Sequence, residues 1–195
     1  MLKSALTALV FVGLAFPAAA EKLSLRDLSA YLTQMKTAEA TFTQINDDGS
    51  ITTGTISIKR PGKARFEYNP PAAARVLVSA GSISVYDLKF DTPPERYPLK
   101  RTPLKLILAR TVDLETANMV DGHSFDGTAT TVRARDPKNP ELGWIDLVFT
   151  ADPIELRQWV VTDDAGTQTT LILGGLTTGL ELPNDLFTIE TVQTD

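Results

Sequence analysis

The stretch ISIKRPGKARFEYNPP, residues 56–71, decides how the rest of the chain is read. Ile56 and Ile58 alternate with Ser57 and Lys59, the period of a strand with one buried face. Arg60-Pro61-Gly62-Lys63 then breaks the pattern. Proline holds the residue before it extended, and a glycine supplies the freedom that a tight turn needs. Alternation resumes with Phe66 and Tyr68 and stops at Pro70-Pro71. The unit reads as a hairpin with an arginine fixed at its end.

The same period extends outward in both directions. Residues 38–46 and 50–59 form a predicted hairpin around Asp47-Asp48-Gly49, and 65–69, 75–79 and 82–87 continue it. After an interruption from residue 88 to about 125, strands are predicted over 128–134, 144–150, 155–162 and 167–173. Asp163-Asp164-Ala165-Gly166 turns between the last two, and 187–192 reads as a final strand. Residues 144–149, and 156–161 in part, are apolar on both alternations. Either both faces are shielded there, or one is a ligand surface, or the strands are core strands with scattered surface apolars.

Two helices are expected. Ser24 is a good N-cap with Asp27 three residues on, and Leu25, Leu28, Tyr31, Leu32 and Met35 make one apolar face. Arg26, Ser29, Thr33 and Lys36 make a polar one. In the segment 101–110, Thr102 and Pro103 read as N-cap and first helical residue. Leu104, Ile107 and Leu108 share a face and Leu106 lies off it, so this short helix is buried or covers an apolar opening. About ten short antiparallel strands with an N-terminal helix predict a large curled sheet in a mainly β, α+β fold.

Residues 1–20 read as a cleavable signal peptide: Lys3, an apolar run, then Pro17-Ala18-Ala19-Ala20. That leaves residues 21–195, about 175 residues, as one domain. Without Lys3 the formal charge moves from -5 to -6, which argues against nucleic acid and against a polybasic membrane surface. The absence of cysteine excludes disulfides, thiol catalysis and cysteine metal sites. The only histidine, His123, next to Ser124 and near two aspartates, has the chemistry to orient a nucleophile or ligate a metal, but its Asp- and Gly-rich stretch is read as a turn. Asp47-Asp48 and Asp163-Asp164 sit at hairpin tips and lack calcium-loop spacing. No enzyme, cofactor or metal site is expected.

The block Ile58-Lys59-Arg60-Pro61-Gly62-Lys63-Ala64-Arg65-Phe66-Glu67-Tyr68 resembles the signature of the outer-membrane lipoprotein carrier family, LolA. That signature is a strand ending in Arg-Pro, a tight turn, and an Arg-aromatic-x-aromatic strand. Leu77-Val78-Ser79-Ala80-Gly81 with Val85-Tyr86-Asp87 is similar to the family's next hairpin, and Thr102 to Arg110 to its lid helix. Leu182-Pro183-Asn184-Asp185-Leu186-Phe187 is similar to its C-terminal turn. Ala64 stands where the family often has an aromatic that takes part in handover, and Phe66 where tryptophan is more usual.

The resemblance implies an open, incompletely closed antiparallel β-barrel with short helices forming a lid over an apolar cavity. It implies a monomeric periplasmic chaperone that takes acylated lipoproteins from an inner-membrane ABC release complex. Delivery would be to the outer membrane through a receptor. Arg60 with Pro61 is then the expected lid latch, its guanidinium bonding carbonyls at lid-helix ends. Leu104, Ile107 and Leu108 are the lid face. Leu28, Leu32, Ile58, Phe66, Tyr68 and Val85 are the candidate lining of the acyl cavity. Carriage of a glycolipid or phospholipid, or a lipoprotein-sensing regulatory role, is the alternative.

Overall fold

The structure is a computed structural model that describes residues 21–90 and 92–188. The signal-peptide reading of residues 1–20 and most of the predicted final strand, residues 189–192, fall outside the described residues. Among those described, helix α1 (Leu25–Gln34) precedes β1 (Thr37–Ile45), β2 (Ile51–Lys59), β3 (Lys63–Tyr68), β4 (Ala74–Ser79), β5 (Ser82–Asp87) and β6 (Glu95–Pro98). A 3-10 turn (Leu99–Arg101) and the one-turn helix α2 (Leu104–Ile107) follow. The chain then forms β7 (Val120–Phe125), β8 (Ala129–Arg135), β9 (Trp144–Thr150), β10 (Glu155–Thr162) and β11 (Gln168–Thr178).

All eleven strands join one antiparallel sheet in the order β6-β5-β4-β3-β2-β1-β11-β10-β9-β8-β7. Two meanders meet where β1 pairs with β11, and the edges β6 and β7 do not pair, so the sheet stays open. Strand β6 is suited to an edge: four residues, all exposed, ending in Pro98. Register puts Ala64, Phe66 and Tyr68 of β3 opposite Ile58, Ile56 and Gly54 of β2, all on the concave side. Gly54 is required there, because a Cβ would lie 2.1 Å from the Glu67 carbonyl oxygen and 2.7 Å from the Phe42 ring.

Helix α1 starts as its sequence dictates. Ser24 Oγ accepts from the Asp27 amide at 3.1 Å and donates to the Asp27 carboxylate at 2.6 Å. Such a cap contributes about 1 kcal/mol. Leu28 and Leu32 are fully buried against the concave face, each contributing about 1.5–3 kcal/mol. Tyr31 meets Phe149 edge-to-face at 6.0 Å and accepts from the Leu156 amide at 3.1 Å. Burial raises the Tyr31 pKa above its ordinary value.

The polar face of α1 is not left to solvent. Ser29 Oγ accepts from the Leu114 amide at 2.9 Å, and Thr33 Oγ1 accepts from the Val112 amide at 3.3 Å. Val112 and Leu114 are buried. The chain from β6 to β7 thus crosses the open side of the sheet as a strap: the 3-10 turn, α2, then residues 108–114 fastened to α1.

Four local expectations are corrected. The interruption from residue 88 to 125 contains β6 and β7, and the stretch around His123 is a strand rather than a turn. Thr102 does not cap α2; its hydroxyl donates back to the Leu99 carbonyl at 3.1 Å. Phe187 closes a 3-10 turn, Asp185–Phe187, instead of opening a strand. The doubly apolar strands have a partly external explanation. Trp144 of β9 faces outward under Arg133 and Arg135, whose guanidinium carbons lie 5.0 and 5.7 Å from its ring centroid.

A second, small core lies on the convex side. Leu77 and Tyr86 pack there against Leu182 and Phe187. Lys59 Nζ donates to the Leu182 carbonyl at 2.5 Å, Lys63 Nζ to Asn184 Oδ1 at 3.1 Å, and an Arg65 Nη to the Leu186 carbonyl at 3.0 Å. The cations flanking the Arg60 turn therefore fasten the C-terminal segment to the outside of the sheet.

Candidate functional site

The concave face holds a cavity of about 240 Å³ that is partly open to solvent. Phe66, Tyr68, Val76 and Ile83 form one wall, Trp159, Val161 and Leu171 the other, and Thr102 and Leu104 cover it. Phe42 lies behind the first wall, edge-to-face with Phe66 at 6.0 Å and Tyr68 at 5.2 Å, each pair contributing about 0.5–1.5 kcal/mol. Polar groups gather at one end. The Tyr68 hydroxyl donates to Gln44 Oε1 at 2.8 Å, and Asp163, Thr167 and Thr169 complete the rim. Burial raises the Tyr68 pKa.

The expected site residues divide among several places. Phe66 and Tyr68 line the cavity, and Leu104 covers it. Val85 faces the concave side opposite Val76 by register but is not in the cavity wall. Leu28, Leu32 and Ile58 lie in the packed core beneath it, as do Ile107 and Leu108, both 2% exposed. Sequence reasoning did not select Val76, Ile83, Trp159, Val161 and Leu171. Strand alternation marks them as apolar and inward, but not as cavity rather than core.

Arg60 occupies the junction of the two helices. Its amide donates to the Lys36 carbonyl at 2.8 Å, its Nε to the Met35 carbonyl at 2.8 Å, and one Nη to the Ala109 carbonyl at 3.5 Å. The Gly62 amide adds a bond to the Leu108 carbonyl at 2.8 Å, with Gly62 at φ +70°, which a residue bearing a Cβ adopts only with strain. One guanidinium thus reaches carbonyls just beyond α1 and α2. Arg60 is 8% exposed, and burial pulls its pKa below the ordinary value. Its second Nη is buried without a hydrogen-bond partner among the described residues. Such an unpaired donor costs about 1–3 kcal/mol, offsetting much of what the Met35 bond contributes.

A second tie holds the strap from the other side. Lys105 of α2 pairs with Asp136, in the loop between β8 and β9. Burial works against the ionised form of Asp136. Hydrogen bonds from Lys105, from Asn139 Nδ2 at 2.6 Å and from the Lys138 amide at 3.0 Å prevail, lowering its pKa to about 2.

His123 and Ser124 point to opposite faces of β7, as strand neighbours must, and so form no dyad. His123 Nε2 instead donates to the Leu23 carbonyl at 2.9 Å, tying β7 to the start of α1. Ala64 is 1% exposed on the concave side. No helix among the described residues is long and apolar enough to cross a membrane.

An open antiparallel sheet with an apolar hollow under a helical strap defines a class of β-folded proteins with a lidded cavity. Within it, the family model described as Outer membrane lipoprotein carrier protein LolA matches residues 33–190, and the chain belongs to the LolA family. An outer-membrane lipoprotein carrier protein of Methylococcus capsulatus is 24% identical over 180 residues, 88% of this chain and 86% of that protein. A DUF1329 family protein of Desulfovibrio piger superposes with a TM-score of 0.51 at 10% identity, over 84% of this chain and 94% of the other. An uncharacterized conserved protein of Thermus thermophilus superposes at 0.50 and 10% identity, over 87% and 93%. These two structures share the fold. The family's description is that of a carrier.

Proposed function

We propose that the protein is a periplasmic chaperone that binds the acyl chains of lipoproteins released from the inner membrane and shuttles them to the outer membrane. The supporting observation is the lidded cavity, walled by Phe66, Tyr68, Trp159 and Leu171 and covered by Leu104. In this reading residues 1–20 direct export and residues 21–195 are the carrier domain. An inner-membrane ABC release complex and an outer-membrane receptor are the donor and acceptor.

Three chains of ~15 methylenes cost about 35 kcal/mol to leave in water at ~0.8 kcal/mol each, so the carrier must bury most of that surface. A resting cavity of about 240 Å³ is below the roughly 300–1,000 Å³ of small-molecule sites, so cargo must displace the strap. Arg60 and Pro61 act as latch, and Leu104, Ile107 and Leu108 as the displaceable face. The closed form covers the apolar surface when empty, which limits aggregation. The under-satisfied Arg60 keeps closure shallow enough to be reversed.

The test is mass spectrometry of molecules extracted from protein purified from its own periplasm. Acylated protein N-termini are expected. Glycolipid or phospholipid alone would replace this reading with carriage of another lipid.

A further inference from the structure

The strap is electrostatically unlike the rest of the chain. Its leading part, residues 99–110, contains Lys100, Arg101, Lys105 and Arg110 and no carboxylate, within a chain of formal charge -5; the carboxylates Asp113 and Glu115 come only after it. Lys100, Arg101 and Arg110 are exposed and have no ion-pair partner among the described residues. Lys105 is close to Lys100, since its Nζ donates to the Lys100 carbonyl at 3.3 Å while paired with Asp136. Apolar side chains accompany these cations. Leu104 and Leu106 are partly exposed, and Tyr97, on the strand leading into the strap, is 48% exposed. Whole-chain acidity therefore conceals a cationic, partly apolar flap lying over the cavity.

We propose that this flap docks on the surface of an anionic lipid bilayer, and that docking loosens the lid as headgroup phosphates compete with Asp136 for Lys105. The proposal rests on the cavity taking acyl chains. Two features select a bilayer over an acidic protein. Cations beside tyrosine and leucine match an interface of anionic headgroups over hydrocarbon. The otherwise acidic chain is repelled by the same surface, so it would approach flap first. The clasp is also built to open at little cost. When Lys105 leaves, Asp136 keeps its bonds from Asn139 Nδ2 at 2.6 Å and the Lys138 amide at 3.0 Å, so no carboxylate is orphaned.

The experiment uses the mature protein and vesicles of phosphatidylcholine with increasing phosphatidylglycerol, read by co-flotation, with uptake of an apolar fluorescent probe measured in parallel. Flotation is expected to rise with phosphatidylglycerol and to fall in high salt as screening shortens. Neutralising Lys100→Gln with Arg101→Gln is expected to weaken vesicle binding about twenty-fivefold, at about fivefold per cation, without changing probe uptake in lipid-free buffer. Lys105→Gln should take up probe faster in lipid-free buffer, and phosphatidylglycerol should no longer accelerate its uptake. Equal flotation on both lipids, or wild-type binding by the Lys100/Arg101 variant, would overturn the proposal. So would capture of an acidic polypeptide by the flap with no vesicle binding. Probe uptake without flotation refutes docking alone, whereas absence of probe uptake refutes the carrier reading beneath it.

Discussion

Leu104→Ala tests whether the lid is a displaceable plug or a fixed wall. Leu104 covers the cavity and is half-buried in the closed form. The substitution removes three carbon atoms. At about 0.8 kcal/mol per fully buried methylene the upper value is ~2.4 kcal/mol, and partial exposure reduces it to roughly 1.5–2 kcal/mol. If cargo must expel this side chain, that energy opposes binding, because apparent affinity scales with the fraction of protein in the competent state. The variant should bind an apolar fluorescent probe roughly 10- to 30-fold more tightly, mainly through faster association, since a larger fraction of the protein is open at any moment. Far-UV circular dichroism should be unchanged, since β1–β11 do not depend on Leu104. Unchanged or weaker probe binding by a folded variant would refute displacement and make Leu104 part of the wall that holds the ligand.

Three further outcomes follow from the same geometry. Arg60→Leu removes the bond to Met35 at 2.8 Å together with the unpaired buried Nη, so global stability should change by less than about 2 kcal/mol in urea titration. Its rates of cargo uptake and handover should depart from wild type, and equal rates would end the latch assignment. Gly54→Ala places a Cβ 2.1 Å from the Glu67 carbonyl oxygen and should cost about 3 kcal/mol or more, seen as a large drop in melting temperature. For Asp136, the folded-state pKa of about 2 lies below the ordinary carboxylate value, so its contribution is present above pH ~4 and lost as pH falls toward 2. Acidification through that window should speed probe uptake, and Asp136→Asn should already be fast at neutral pH. A wild-type acid profile in Asp136→Asn would show that the clasp does not hold the lid.

The central part of the fold was legible because its determinants are local. Strands β5, β9 and β10 coincide with the predicted 82–87, 144–150 and 155–162, where alternation is regular and turns are marked by Gly, Asp or Pro. The missed strands lack that signal. Strand β6 is a four-residue edge rich in polar side chains, and β7 carries Asp121, Gly122, His123 and Ser124 in a row. Both exist because a neighbour offers hydrogen bonds, which is tertiary context overriding weak propensity. The same limit applies to the cavity. Phe66 and Leu28 look alike as inward apolar residues, yet one lines a hollow and the other fills the core. The difference is set by sheet curvature and by where the strap crosses.

The alternating strands, the Ser24 cap, the Arg-Pro turn and the family to which these point follow from the order of the amino acids alone. Each is fixed by chemistry acting over a few residues. That Arg60 reaches Ala109, that Lys105 meets Asp136, and that Lys63 and Arg65 hold the C-terminal segment is set by long-range packing. Those partners are separated by 31 to 121 positions. Which distant groups meet depends on strand register and sheet bending, and these emerge only when the whole concave face is packed.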